Sequence, residues 1–300
     1  YLDEKQQKEI EFGRPIERGN QQQMMNEALA VARKSDVVVA CLGEMAEMSG
    51  ECASRSNLEL PDAQMMLLKE LVKTGKPIVL LNFSGRATVL KWESENVNAI
   101  MNVWFAGSET GDAVCDVLFG DKVPTGKTVN SFPQNVGQLP LYYNHMNTGR
   151  PVPEGTDRFF KFQSNYLDVR NDPLYPFGYG LSYTTYEYGD LTLSSSKIPA
   201  DGKVEASITV KNTGLRDGDE IVQLYIHDVS ASIARPVKEL KGFQRIHLKS
   251  GEAKTVTFDI TRKQLEFYNS ELKQVVEPGE FTIMVGSNSR DVKTAKLTVE

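Results

Sequence analysis

The chain has 300 residues, of which 40% are hydrophobic and 25% charged. That is the make-up of an ordinary globular protein and more length than one small domain needs. The net charge of −6 argues against nucleic acid or an anionic membrane surface as partner, since both reward a basic face. No apolar run approaches the roughly 20 residues of a membrane span.

The sequence starts at Tyr1 rather than Met, and no signal-peptide pattern follows, so it reads as a processed or excised piece. Residues 1–19 are polar, non-periodic and unassigned. In "NQQQMMNEALAVARKS" the residues Met24, Met25, Ala28, Leu29 and Ala32 recur at helical spacing and predict an amphipathic helix. The Val-rich run "DVVVACLG" predicts a strand covered on both faces. "LPDAQMMLLKELVKTGKP" predicts a second helix, with Pro61 and Asp62 at its start and Gly75 and Pro77 at its stop. "PIVLLNFSG" and "AIMNVWFAG" predict two more buried strands, and "SETGDAVCDVLFG" a helix after them. Alternation of strand and helix is the pattern of an α/β fold with a parallel sheet. Three strands are few for that class, so further strands are expected either later in the chain or before Tyr1.

From 120 to 185 the chain is rich in Gly, Pro, Asn and Tyr and has little periodicity. A connection that long is uncommon in a compact domain, and one explanation is a wrap over another body. From about residue 187, short alternating runs such as "VEASITVKNTG", "EIVQLYIHD" and "AKTVTFDIT" are separated by turn signals and predict an all-β sandwich. Ile208 and Val210, with Val222, Leu224 and Ile226, are its expected inward faces.

The stretch "CLGEMAEMSGECASRSNLELP" places Glu44, Glu47, Glu51 and Glu59 directly after the first strand. Ligands of open parallel sheets bind beyond the carboxyl ends of the strands, so the loop's position favours a site, while its composition also suits a solvated loop. Carboxylates there could serve as general acid or base, as metal ligands, or as hydrogen-bond partners of a sugar. The metal reading is the weakest, because no cluster of His or Asp accompanies them. Cys52 lies in this loop without a nearby His to activate it, and Cys41 and Cys115 sit in apolar runs as expected buried hydrophobes. Three cysteines at these spacings give neither a disulfide framework nor a zinc motif.

Other motifs read as structural. "WFAGSETGD" opens a helix, but Glu109 and Asp112 would repel a phosphate. His227 and His247 fall on predicted strands, and His145 lies in the irregular segment, with no Ser–His–Asp arrangement. The Gly- and Asp-rich "VKNTGLRDGDEIV" lacks the spacing of a calcium loop.

"GEMAEMSGECASR", "GKPIVLLNFSGRA", "WFAGSETGDAVCDVLFGDKVPTGK", "SFP", "QLPLYYNHMNTGRP" and "LYPFGYGLSYTTYEY" occur in that order. Together they resemble the C-terminal half of glycoside hydrolase family 3, and within it the bacterial periplasmic members. The resemblance runs from about residue 20 to the end. Locally, "GKTVNSFP" departs from the Leu and Pro that usually follow Gly-Lys in the family.

The resemblance implies a flavodoxin-like α/β sandwich domain, here missing its first strands, followed by a fibronectin type III-like β-sandwich. The implied division is 1–120 for the α/β domain, 121–187 for an irregular wrap belonging to it, and 188–300 for the fibronectin type III-like domain. The family's activity implies hydrolysis of terminal β-D-glucosyl residues by a retaining two-carboxylate mechanism. In that mechanism Glu51, in "SGECASR", matches the general acid/base, with Glu47 as rival because the loop varies in length. The nucleophile is an Asp of an N-terminal (β/α)8 barrel, so none is expected in this chain, which alone would then be inactive. The implied partners are a β-linked oligosaccharide or glycoside and that barrel, with no cofactor and no metal, in the periplasm or outside the cell. Two alternatives stand beside this: action on β-xylosides or other β-glycosides, and a non-catalytic carbohydrate-binding or structural module.

Overall fold

A computed structural model describes residues 21–300, so the expected start of the first domain lies outside the described residues. The chain forms two units: residues up to 115 together with 132–139, and residues 116–131 together with 140–300.

In the first unit, helix α1 (Gln21–Lys34) carries the predicted apolar stripe, with Leu29 and Ala32 buried. Strands β1 (Val38–Gly43), β2 (Ile78–Phe83) and β3 (Ala99–Asn102) pair in parallel in the order β1-β2-β3, with Val39 opposite Val79 and Leu80 opposite Ile100. Helices α2 (Asp62–Val72) and α3 (Lys91–Asn96) make the crossovers, as parallel pairing requires. Leu29, Ala32, Leu68 and Leu71 pack on the sheet face formed by Ala40, Ile78 and Leu80. Helix α4 (Thr110–Leu118) follows β3 and buries no residue fully.

The expectation of burial fails at several points in this unit, and β3, read as a buried strand, has Ala99 exposed and no residue fully buried. The opposite face of β1 is open, with Val39 46% exposed and Cys41 exposed beside it. Cys115 is exposed as well. A Val-rich run shows that a strand is apolar on both faces, but what covers each face depends on segments elsewhere, and among the described residues nothing covers this one.

In the second unit, two antiparallel-dominated sheets enclose a single apolar core. One contains β4 (Tyr186–Tyr188), β5 (Thr192–Leu193), β7 (Val204–Asn212) and β10 (Ala253–Ile260). The other runs β6-β14-β13-β8-β9, with β6 (Lys197–Ile198), β8 (Gly218–Asp228), β9 (Glu239–Leu248), β13 (Gly279–Gly286) and β14 (Val292–Val299), while β11 (Phe267–Tyr268) and β12 (Gln274–Val275) form a separate two-stranded pair. The period-2 pattern of β7 points Val204, Ala206, Ile208 and Val210 inward, and the expected residues Val222, Leu224 and Ile226 of β8 meet them in the core. The architecture is thus an α/β unit plus a two-sheet β-sandwich.

The irregular segment has a partner within its own unit. Tyr143 stacks on Phe177 at 4.2 Å between ring centroids and meets the edge of Tyr225 at 5.9 Å. The Gln223 side chain donates to the carbonyls of Gly178 and Ser287. Gln223 and Tyr225 project from the outer face of β8, so residues before 187 cover that face of the sandwich. The Gly- and Asp-rich loop is a paired turn: Asp217 accepts from Ser250 N–H, and Asp219 binds Arg245 and His247. No described helix is long and apolar enough to cross a membrane.

Candidate active site

The acidic loop begins where β1 ends, and a glycine makes the turn. Gly43 has φ +140°, and a methyl group there would meet Phe83 O at 1.8 Å, so the close approach of β1 to β2 admits no side chain. The Gln64 side chain from α2 accepts from Gly43 N–H at 2.7 Å and donates to Gly43 O at 2.9 Å. Glu44 N–H then donates to Phe83 O at 2.7 Å. These bonds turn the Glu44 side chain inward, where it is 6% exposed.

Burying an ionised carboxylate to that degree is costly unless it is paired, and Glu44 is paired. Arg55 Nη1 lies 2.8 Å from Glu44 Oε1, Arg86 Nε 3.0 Å from the same oxygen, and Gly85 N–H donates to Oε2 at 3.1 Å. The two arginines also grip the loop. Arg86 Nη2 donates to Met48 O at 2.8 Å and Ala53 O at 2.9 Å. Arg55 Nη2 donates to Glu59 O at 3.0 Å. Below them, Asn82 donates to Asn102 and Thr88, and Ser84 Oγ donates to Arg86 O at 2.8 Å.

The four acids of the stretch therefore have different surroundings. Glu44 is consumed by ion pairing. Glu59 is exposed at the loop's far end, before the buried Leu60. Glu47 lies on a short 3-10 turn (Ala46–Met48), and Glu51 lies between Gly50 (φ +121°) and Cys52 (φ +60°). Both are exposed, and neither side chain forms a hydrogen bond or ion pair among the described residues. The left-handed conformation of Cys52 is unfavourable for a residue with a Cβ, and such strain often accompanies functional loops. The loop thus presents unpaired carboxylates from a backbone that is tied down on both sides, an arrangement suited to proton transfer once a ligand excludes water.

The other candidates do not join this cluster. Among the described residues, no three His, Cys, Asp or Glu side chains gather in a metal-binding group. His145, His227 and His247 belong to the second unit and bind Met146 O, Pro236 O and Asp219 respectively. Tyr188 donates to Glu220, which also pairs with Lys127, so this aromatic of the sandwich serves packing and pairing.

Arg55, Arg86, Gln64 and Gly85 are missing from the sequence reading. Their signal was present: an acid placed directly after a buried strand needs a cation, and "SGR" follows the neighbouring strand.

A profile described as "Glycosyl hydrolase family 3 C-terminal domain" matches residues 4–183, and one described as "Fibronectin type III-like domain" matches 220–289. The periplasmic beta-glucosidase of Salmonella typhimurium is 50% identical over 273 residues, covering 91% of this chain and 35% of that protein. A beta-xylosidase of Formosa agariphila is 44% identical over 276 residues, covering 91% of this chain and 37% of that protein. The crystal structure of a beta-glucosidase from Listeria innocua in complex with glucose superposes with a TM-score of 0.87 at 41% identity, covering 92% of this chain and 38% of that one. The chain thus spans little more than a third of the length of these relatives.

Proposed function

The chain belongs to glycoside hydrolase family 3, and on that premise we propose that it carries the general acid/base of a retaining β-glycosidase, with Glu51 in that role and Glu47 as its rival. The observation that carries this reading is the contrast within the loop: Glu44 is buried and paired, while Glu51 is exposed, unpaired and held on an anchored turn.

In the first step Glu51 gives its proton to the glycosidic oxygen as the C1–O bond breaks and an aspartate attacks C1. In the second it takes a proton from the water that displaces that aspartate, which restores both carboxyl groups. The aspartate belongs to a barrel outside these 300 residues. The two carboxyls must come within about 5–5.5 Å, so the loop works only when it closes over that barrel. Closure would also exclude water from the loop, which strengthens proton transfer within the site.

The substrate proposed is a terminal β-glucoside, after the Salmonella and Listeria relatives. A β-xyloside is the second reading, after the Formosa relative, because most of the sugar pocket lies on the barrel. The periplasm or the cell exterior is the proposed location, after the name of the Salmonella relative. The proposed division places the α/β domain at 1–120 and the fibronectin type III-like domain at 188–300; the wrap at 121–187 goes with the α/β domain in the family profile but, apart from 132–139, belongs to the sandwich unit by its contacts.

The test uses the longer protein that carries this chain and its barrel. Glu51→Ala should lower kcat/KM on alkyl glycosides and disaccharides by about 10²–10⁴-fold. Aryl glycosides with good leaving groups should suffer far less in glycosyl-enzyme formation, and added azide should restore turnover as glycosyl azide. Equal loss on both substrate classes would remove Glu51 from the acid role. The same leaving-group dependence in Glu47→Ala alone would transfer the role to Glu47.

A further inference from the structure

Arg86 sits at the end of β2, yet its contacts lie on either side of Glu51. Its Nη2 donates to Met48 O and Ala53 O, so one nitrogen closes the turn that holds Ser49, Gly50, Glu51 and Cys52. Its Nε rests on Glu44, at 3.0 Å from Oε1 and 3.3 Å from Oε2. Its own backbone is fixed by Ser84 Oγ, within the buried Asn82–Thr88–Asn102 network. Gly85, just before it, lets the turn approach so closely that a methyl group would meet Ser49 Oγ at 1.9 Å.

From this geometry we propose that Arg86 is the positioning residue of the acid/base turn, and that Glu44 serves to orient Arg86. The proposal rests on the reading of Glu51 as the acid. A planar guanidinium with a rigid fork of N–H donors can meet a carboxylate and two carbonyls together, which the single ammonium of lysine cannot do in this geometry. Arg55 supplies the contrast. It also pairs with Glu44, but its second contact is Glu59 O, beyond the turn. If these arginines only neutralised Glu44, their loss would be equivalent. If Arg86 positions the turn, its loss is distinct.

The variants Arg86→Lys and Arg55→Lys separate the two cases. In the 300-residue chain, hydrogen exchange at the Ser49 and Ala53 amides, which bond to Ala46 O and Gly50 O, should speed up at least about tenfold in Arg86→Lys and change little in Arg55→Lys, since only Arg86→Lys frees the turn. In the longer protein, Arg86→Lys should lower kcat/KM on alkyl glycosides by roughly 10–100-fold, the cost of a displaced catalytic group, while aryl glycosides with good leaving groups lose much less. Arg55→Lys should lower both classes equally or not at all.

Equal exchange in the two variants, or equal loss on both substrate classes in Arg86→Lys, would overturn the proposal. If Arg86→Lys does not fold, Gly85→Ala displaces Ser49 and leaves every Glu44 partner in place. It should show the same selective loss, and its absence would be equally fatal. Exchange at Ser49 and Ala53 is read without reference to catalysis, so failure of the bracket is distinguishable from failure of Glu51→Ala to show leaving-group dependence.

Discussion

Two carboxyl groups are buried in the α/β unit among the described residues, and they are handled differently. Glu44 has two guanidinium partners. Glu93, on α3, is 1% exposed, its Oε1 has no hydrogen-bond partner, and no cation pairs with it directly. Burial raises its pKa from 4.5 to about 7; the nearby Glu59 carboxylate adds to the rise, while its own backbone hydrogen bond and Lys69 oppose it. A raised carboxyl destabilises the fold as pH increases. Below pH 4.5 Glu93 is protonated in both states, between 4.5 and about 7 only the unfolded chain releases the proton, and above 7 the penalty is constant. Glu93→Gln should therefore match the parent near pH 4 and be more stable than it at pH 8 by roughly 2–3 kcal/mol. Both tryptophans, Trp92 and Trp104, lie in this unit, so urea unfolding followed by tryptophan fluorescence at the two pH values reads it alone. A stability difference that does not vary with pH would refute the account. The sequence showed where acids cluster but not which of them is paired. That distinction depends on Arg86 and Gly85, which follow a different strand from the one that leads into the loop.

At the scale of elements, period and punctuation were enough to place the three strands of the α/β unit, their parallel pairing and helices α1, α2 and α4, but not the short crossover α3, whose sequence KWESEN carries no apolar period. The run ending in Gly43 is a strand because it is apolar and Val-rich. It stops there because the chain must take φ +140° against Phe83. Gly43→Ala would require a left-handed alanine and push β1 from β2, and both Gln64 bonds to the Gly43 backbone would stretch. Strain of that kind costs about 1–3 kcal/mol before the steric overlap is counted, so a loss of at least about 3 kcal/mol is expected in the same fluorescence assay. A change below about 1 kcal/mol would mean that β1 and β2 can separate at Gly43 without loss, against this account. What could not be read was the environment of each face. Val39 and Cys41 alternate with the buried Ala40 as any strand residues would, and their exposure follows from what does not lie against them.

At the scale of the whole molecule, the segment from 120 to 185 is irregular by sequence and well packed in the structure. Its composition of Gly, Pro, Asn and Tyr forbids long helices or strands, so its order has to come from side chains laid against another surface. The outer face of β8 provides that surface, through the Tyr143–Phe177–Tyr225 contacts and the Gln223 hydrogen bonds. Lys127, also from this segment, pairs with Glu220, whose side chain is 4% exposed. The inward face of β8 was readable from alternation; the outer face was not, because Gln223 and Tyr225 look like the solvent side of an edge-packed strand. A protein of residues 188–300 keeps the inner core but loses these partners. Tyr225, now fully buried, would face water, and Glu220 would lose its cation. Exposing one large aromatic costs about 1.5–3 kcal/mol, and the unpaired acid adds to that unless water reaches it. Residues 116–300 should therefore unfold at a higher urea concentration than residues 188–300, by several kcal/mol in extrapolated stability, when both are followed by far-UV circular dichroism. Equal midpoints would show that the wrap takes its order from the sandwich without stabilising it in return.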